Sequence, residues 1–283
     1  MKASFSEDES KDARKDSAPL VGPDELEEWV IHQDDSIIAL NKPGWLVCHP
    51  SKNGPWSSLV GAVRVHFGLD QVYLAGRLDR ETSGLVLIGK DETAGRMWQK
   101  ALEEKRIRRS YWAILVGELK EEMHVEGFLG KDPHSEVFVK QRVTEKSNKS
   151  KRAQTSFLPL HSANGHTLCA IVTGTGRKHQ IRVHAQSIGY PLVGEKLYGL
   201  DERYYLDFCR AGWNEDWLER LGMRRQALHS RTFGFSDGGP SFVAPLAKDF
   251  LSFLVDALGM DPSVETMLED RATRWIEARF RGE

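Results

Sequence analysis

Residues 76–90 read GRLDRETSGLVLIGK. The turn Arg77-Leu78-Asp79-Arg80 passes through Glu81-Thr82-Ser83 into the apolar run Leu85-Val86-Leu87-Ile88. An uninterrupted apolar run of that length reads as a buried strand over Gly84 to Ile88. A carboxylate at the mouth of such a strand costs free energy unless it is paired or used. A generic aspartate at this place caps a turn. One that acts chemically near neutral pH has to stay ionised, and a nearby guanidinium keeps it so. The partner of Asp79 is therefore the residue to look for.

The flanking sequence alternates strand and turn signals. Glu28 to Gln33 and Ser36 to Asn41 read as strands, Lys42-Pro43-Gly44 as a turn, and Trp45 to Cys48 as a further strand. Leu59 to Phe67 reads as a short helix and Glu92 to Lys105 as a longer one, with Met97, Ala101 and Leu102 at helical spacing. Ser110 to Val116, His166 to Thr173 and Ala227 to Phe235 are rich in β-branched and aromatic residues and read as strands. Lys140 to Arg152 is polar and basic, a loop or hairpin arm. Thr175-Gly176 breaks the preceding strand, and a helix follows from Lys178 to Ser187, ended by Gly189. Two helices close the chain, over about 247–258 and 262–280. Many strands with few helices between them define an α+β fold, a largely antiparallel mixed sheet with flanking helices. Residues 1–24 are polar and are expected to form a disordered tail, with one domain over 25–283.

The chain has 283 residues, 40% hydrophobic and 28% charged, as in an ordinary soluble domain. No apolar stretch reaches the roughly 20 residues a membrane helix needs, so no membrane association is expected. The three cysteines, Cys48, Cys169 and Cys209, form no CxxC pair. A cytoplasmic location and the absence of a metal site are the expectations that follow. The net charge of −2 is unevenly spread: residues 1–35 carry −7, residues 201–283 carry −4, and the middle of the chain +9. A polyanionic partner fits a basic middle region, and so does a merely solvated surface.

Two further segments carry chemistry. Lys105-Arg106-Ile107-Arg108-Arg109-Ser110-Tyr111 places a tyrosine at the start of an apolar strand, directly after a basic cluster. Tyr111 is either core packing or, if its hydroxyl faces the cleft of Asp79, a proton carrier. Thr173-Gly174-Thr175-Gly176-Arg177-Lys178-His179-Gln180-Ile181-Arg182-Val183-His184 leads from a turn into a helix. Arg182, three residues past His179 on one face, is the candidate guanidinium for Asp79. Arg177 and Lys178 at the helix start suit phosphate, although an exposed basic helix start would look the same. His179 and His184 are five apart, off metal-ligand spacing, so zinc is not expected.

Taken in order, these segments resemble the RluA-type RNA pseudouridine synthases. Asn41-Lys42-Pro43-Gly44-Trp45-Leu46-Val47 resembles the family's first block, and Arg77-Leu78-Asp79 with Thr82-Ser83-Gly84-Leu85 its catalytic block. Arg109-Ser110-Tyr111 with Gly117 resembles the tyrosine block. Gly176-Arg177 with His179-Gln180-Ile181-Arg182 and His184, then Gly189-Tyr190-Pro191-Leu192, resembles the last, followed by Leu228-His229-Ser230. The resemblance spans about residues 29–245. Gly76 stands where the family commonly has histidine, Arg109 replaces a usual lysine, and Glu195 a usual aspartate.

The resemblance implies the pseudouridine synthase catalytic fold and isomerisation of uridine in ribosomal or transfer RNA, by a monomer that needs no cofactor. It implies that Asp79 is the catalytic carboxylate, that Tyr111 transfers a proton and walls the base, that Arg182 pairs with Asp79, and that Arg77 fills the space of the flipped nucleotide. The basic residues Arg106, Arg109, Arg177 and Lys178, with His179, are expected along the RNA track. Two other classes share these features: a non-catalytic RNA-binding protein of the same fold, and a carboxylate-dependent hydrolase, for which Glu81 is the near candidate for a second acid.

Overall fold

The computed structural model describes residues 19–49, 53–261 and 265–281. The expected polar tail therefore lies largely outside the described residues. Its boundary at residue 24 is too late, because Val21 is buried and its N–H donates to Trp56 O at 2.8 Å. Helix α1 already spans Pro23–Glu28, started by Pro23 and buried through Leu26. The first strand is correspondingly shorter than Glu28 to Gln33: β1 is Val30–Gln33, and β2 follows at Ile37–Lys42. Trp45 to Cys48 forms no strand. Val47 makes only an isolated bridge to Ser58, because this segment turns to meet helix α2, Leu59–His66.

The remaining elements are β3 Tyr73–Leu74, β4 Ser83–Gly89, α3 Glu92–Glu103, β5 Ile107–Val116, β6 Met123–Lys131, β7 Gln141–Thr144, β8 Lys151–Ala163 and β9 His166–Thr173. After them come α4 Gln180–Ser187, α5 Arg203–Ala211, α6 Leu218–Leu221, β10 Leu228–Phe235, β11 Ser241–Val243, α7 Lys248–Asp256 and α8 Glu265–Arg281. The strands form one sheet in the order β1-β2-β4-β10-β5-β9-β8-β6-β7, with β11 on β10 and β3 on β4. Every pairing is antiparallel except β4 with β10, where Ser83 lies opposite His229 and Gly84 opposite Ser230. The sheet is thus mixed and largely antiparallel, flanked by helices.

The parallel pair positions the Asp79 turn. Gly84 adopts φ +103°, and a Cβ there would lie 2.3 Å from the carbonyl oxygen of Ser230, so only glycine lets β4 come this close to β10. Next to β10, β5 sets Tyr111 opposite Ser230, and β9 sets Ile171 opposite Tyr111. The start of β4, the middle of β5 and the end of β9 therefore meet. One face of this sheet region packs on α7 and α8 through Phe250, Leu254, Leu268 and Ile276. The other face packs on α4 through Ile181 and Ala185. Among the described residues no helix is long and apolar enough to cross a membrane.

Candidate active site

The Asp79 turn is held from three sides. Thr82 N–H donates to Asp79 O at 3.1 Å, closing the turn on itself. Gln226, just ahead of β10, donates its side-chain amide to Thr82 Oγ1 at 2.7 Å. Lys42, fully buried at the end of β2, donates its ammonium to the carbonyl oxygens of Pro43 (2.7 Å), Leu46 (2.8 Å) and Arg80 (3.1 Å). One lysine thus ties the Pro43-Gly44 turn to the loop that carries Asp79. Burial drives its pKa down to about 8, and carbonyl dipoles stand in for the water it has lost.

The guanidinium comes from α4. That helix starts at Gln180, two residues later than its sequence pattern suggests, because His179 takes the left-handed conformation (φ 56°) at the N-cap. Gln180 builds the turn before it. Its side-chain oxygen accepts from Thr175 Oγ1 (2.7 Å) and Arg177 N (3.0 Å), and its amide donates to Gln154 O (2.8 Å) and Thr155 Oγ1 (2.9 Å). One turn along, Arg182 is buried and forks in two directions. Nε and Nη2 bind Glu195 at 2.8 and 2.7 Å, and Nη1 reaches Asp79 Oδ2 at 3.0 Å. Glu195 is itself 1% exposed and also accepts the N–H of Leu197 at 2.9 Å. The buried guanidinium is therefore oriented by one carboxylate and presented to another.

Burial pushes the Asp79 carboxyl up, but the neighbouring cations, Arg182 foremost through its charge and its hydrogen bond, together hold the group below its ordinary value. His179 stands 3.9 Å from Asp79, Nε2 to Oδ2. Burial, with Arg182 adding to it, drives its pKa down to about 4, so at neutral pH the ring carries no charge and the attraction comes from Arg182, with a smaller share from Arg77. His179 Nδ1 lies 2.7 Å from the hydroxyl of Tyr198, whose oxygen already accepts Gln141 N–H at 2.9 Å. With the tyrosine donating to Nδ1, the neutral ring carries its proton on Nε2, toward Asp79.

Two adjoining cavities meet at Asp79. One is lined by Tyr111, Thr173, Gly176 and Arg177. The other, of about 430 Å³, is lined by His49, Arg80, Tyr205 and Phe208. Arg77, Leu78, Asp79, His179 and Arg182 line both. Of the residues singled out in the sequence, Asp79, Tyr111, Arg182, Arg77, Arg177 and His179 thus share one site. Arg109 lies against its rim, since a Cβ at Gly176 would meet Arg109 Nη1 at 2.9 Å. Lys178 is exposed at the start of α4.

Arg106 does not join them. It pairs with Glu104 (2.9 Å) and Asp237 (3.4 Å), five residues before Tyr111 on β5, roughly 16 Å along an extended strand. Its place on an RNA track is not what its surroundings favour. Glu81 is also committed elsewhere: it binds Lys196 at 2.7 Å. Three residues that build the site had no such role in the sequence reading, namely Lys42, Gln180 and Glu195. A buried lysine beside a proline turn, a glutamine just inside a helix and an acid 13 residues past an arginine give weak local signals, because their partners come from other elements.

The mixed sheet with flanking helices is a fold found among solved RNA pseudouridylate synthases. It is shared with the solved structure of human RNA pseudouridylate synthase domain containing 4, at a TM-score of 0.66 and 20% identity over 84% of this chain and 96% of that one. The RNA pseudouridylate synthase family model matches residues 36–187, and the chain belongs to that family, on its RluA side. It is 32% identical over 248 residues to ribosomal large subunit pseudouridine synthase D of Neisseria meningitidis serogroup A, covering 83% of this chain and 63% of that protein. The protein of the same name from Haemophilus ducreyi is 32% identical over 241 residues, covering 82% of this chain and 71% of that one. The chain thus spans 63% of the length of the first of these relatives.

Proposed function

We propose that the protein converts uridine in RNA to pseudouridine, with Asp79 as the catalytic carboxylate. The observation that carries this is the ordered chain Glu195–Arg182–Asp79, which ends in a cavity walled by Tyr111. The bond from ribose C1′ to uracil N1 breaks and a bond from C1′ to C5 forms. A proton leaves C5 and N1 gains one, so the reaction balances with no co-substrate. Arg182 keeps Asp79 ionised and aimed at the glycosidic bond. Tyr111 lines the space the uracil turns in, where it provides a stacking face and a hydroxyl for proton transfer.

A uridine in structured RNA has to leave its stack to reach Asp79, at a cost of a few kcal/mol. Arg77, exposed at the rim, fills the gap it leaves, and phosphate contacts from Arg109, Arg177 and Lys178 offset the cost. These four cations make no ion pair among the described residues. The names of the relatives point to large-subunit ribosomal RNA as the substrate class.

The test is carbodiimide-adduct mapping of pseudouridine in total RNA from cells with and without the protein, with in vitro transcripts as control. One or a few sites in large-subunit ribosomal RNA should disappear with the protein. Loss confined to transfer RNA would move the substrate class, and release of free uracil would make the protein a hydrolase. A hydrolase of the two-carboxylate type is disfavoured by Glu81, whose oxygen is taken by Lys196.

A further inference from the structure

The surface beyond Asp79 opens into an outer cavity that the isomerisation does not use. It measures about 720 Å³, within the roughly 300–1,000 Å³ of small-ligand sites. It shares Arg80, Glu81 and Phe208 with the cavity that contains Asp79, so the two adjoin. Arg80 forms the sill between them: its Nε donates to Trp45 O at 3.1 Å, and its guanidinium lies 5.5 Å from the Phe208 ring centre.

The walls of the outer cavity are aromatic. Trp29 and Trp45 meet edge to face at 6.0 Å on one side, with Phe208 and Trp213 on the other. Phe208 and Trp213 are held from beneath by Lys196, whose ammonium stands 4.7 and 5.2 Å from their ring centres. That ammonium is anchored in turn to Glu81 (2.7 Å) and Arg224 O (2.6 Å). Trp213 Nε1 is buried and has no hydrogen-bond partner among the described residues. Two of the acids on the wall are spent: Glu81 on Lys196, and Asp249 on a bidentate bond from Arg225 at 2.6 and 2.7 Å. Glu28 is the remaining acid; Arg224 lines the cavity but is paired with Glu215 at 2.7 Å, whereas Lys248 is an exposed cation with no ion pair among the described residues.

Preset aromatic faces beside cations form a platform for unpaired nucleotides, because every base has a π-face to stack and a phosphate to neutralise. We propose that the outer cavity binds a second, unpaired nucleotide of the same RNA strand, its base stacked on the Trp45 and Trp213 walls and its phosphate near Arg80 and Lys248. This rests on the RNA reading above. It adds that the protein selects target uridines with an unstacked neighbour a few positions away.

The experiment compares fluorescent oligouridylates of three and ten nucleotides, the shorter able to fill only the Asp79 cavity. Affinity is read by anisotropy for the full chain and for Trp213→Ala, Trp213→Phe and Lys248→Glu. Trp213→Ala should weaken the decamer roughly tenfold and leave the trimer unchanged, the scale of one lost base–aromatic stack. Trp213→Phe should restore most of the loss. Lys248→Glu, at an exposed residue in the first turn of α7, should weaken the decamer more at low salt than at high. Wild-type decamer affinity in both Trp213→Ala and Lys248→Glu would overturn the outer site while leaving the RNA reading intact. Failure of the wild-type protein to bind either oligouridylate, together with no pseudouridine made in any transcript, would overturn both.

Discussion

Asp79 and Glu81 lie two residues apart on one loop, and each faces a buried cation, yet their environments drive them in opposite directions. Burial would raise both. At Asp79 the surrounding cations, Arg182 foremost, together prevail and the carboxyl is held below its ordinary value; at Glu81 burial prevails over Lys196 and the carboxyl is pushed up. The cations differ in their own support. Arg182 is fixed by two bonds to Glu195 and spends one arm on Asp79. Lys196 spends its ammonium on Glu81, a carbonyl oxygen and two aromatic faces. A carboxylate whose partner is anchored elsewhere is held ready at a cavity. A carboxylate that is itself the anchor belongs to the scaffold. The loop therefore divides into a reacting acid and a structural one, with Arg80 between them.

The sharpest way to break that division is to remove each carboxyl in turn. Asp79→Asn should lower pseudouridine formation by roughly 10³-fold or more, the scale of losing a reacting group, with a smaller loss of stability than for Glu81, because the attraction to Arg182 goes while Glu195 still compensates the guanidinium. Glu81→Gln should do the reverse. It leaves the Lys196 ammonium buried without its carboxylate, at a cost of about 3 kcal/mol in urea unfolding, while the folded fraction keeps its rate within a few-fold. If Glu81→Gln is stable but inactive, the two acids work as a pair and the division is wrong.

Arg182→Met comes next. The rate should fall by roughly 10²-fold, and what activity remains should fail at a higher pH. The sign follows from the environment. With Arg182 present, the depressed Asp79 value keeps the carboxylate, and the stability it contributes, down to acid pH; both are lost only as pH falls through that low value. Without the guanidinium, the burial that remains raises the carboxyl, so protonation begins nearer neutrality. The measurement is the pH profile of single-turnover rates. A parallel drop with an unmoved acid limb would reduce Arg182 to a substrate contact.

Glu195 tests the anchoring itself. Glu195→Gln strips the guanidinium of its main partner and should cost about 3 kcal/mol of stability. Glu195→Asp keeps the charge and should recover most of it, in thermal melts and in rate alike. Equal losses for both variants would mean that side-chain length, not charge, holds Arg182.

The Asp79–Arg182 pair was legible because each residue sits in a short motif whose charge needs a partner. Glu195 was visible only as a substitution within a block. Its function depends on residues 189–198 folding back beneath α4, which no local pattern encodes. The central strands β2, β4, β5, β9 and β10 announce themselves as apolar runs buried on both faces. Strands β6 and β8 were missed. The first alternates half-exposed residues around Gly127, and the second begins with Lys151-Arg152 and carries Pro159 beside a register shift. Both derive their strand character from neighbours in the sheet rather than from composition. Helix α5 went unread for a related reason. None of its residues is buried, and aromatic contacts of Phe208 to Arg80 and Lys196 help to hold it.

The smallest expected effect extends the comparison from acids to cations. Arg106 and Arg177 were read alike, as parts of one basic track, but Arg106 already has two carboxylates, Glu104 and Asp237. Arg177 makes no ion pair among the described residues; its Nε donates to Arg152 O at 3.0 Å. A cation whose charge is met within the protein releases few counterions when RNA arrives, whereas an unmet one at the cavity rim exchanges them for a phosphate. Arg177→Ala should therefore weaken RNA binding several-fold at low salt and reduce the slope of log affinity against log salt by about 0.7 to 0.9, one phosphate's worth. Arg106→Ala should leave both the slope and the stability nearly unchanged, as for an exposed pair. The check is a salt titration of RNA affinity for both variants. Equal slope changes would put Arg106 back on the track and show that an internal ion pair does not take a cation out of RNA binding here.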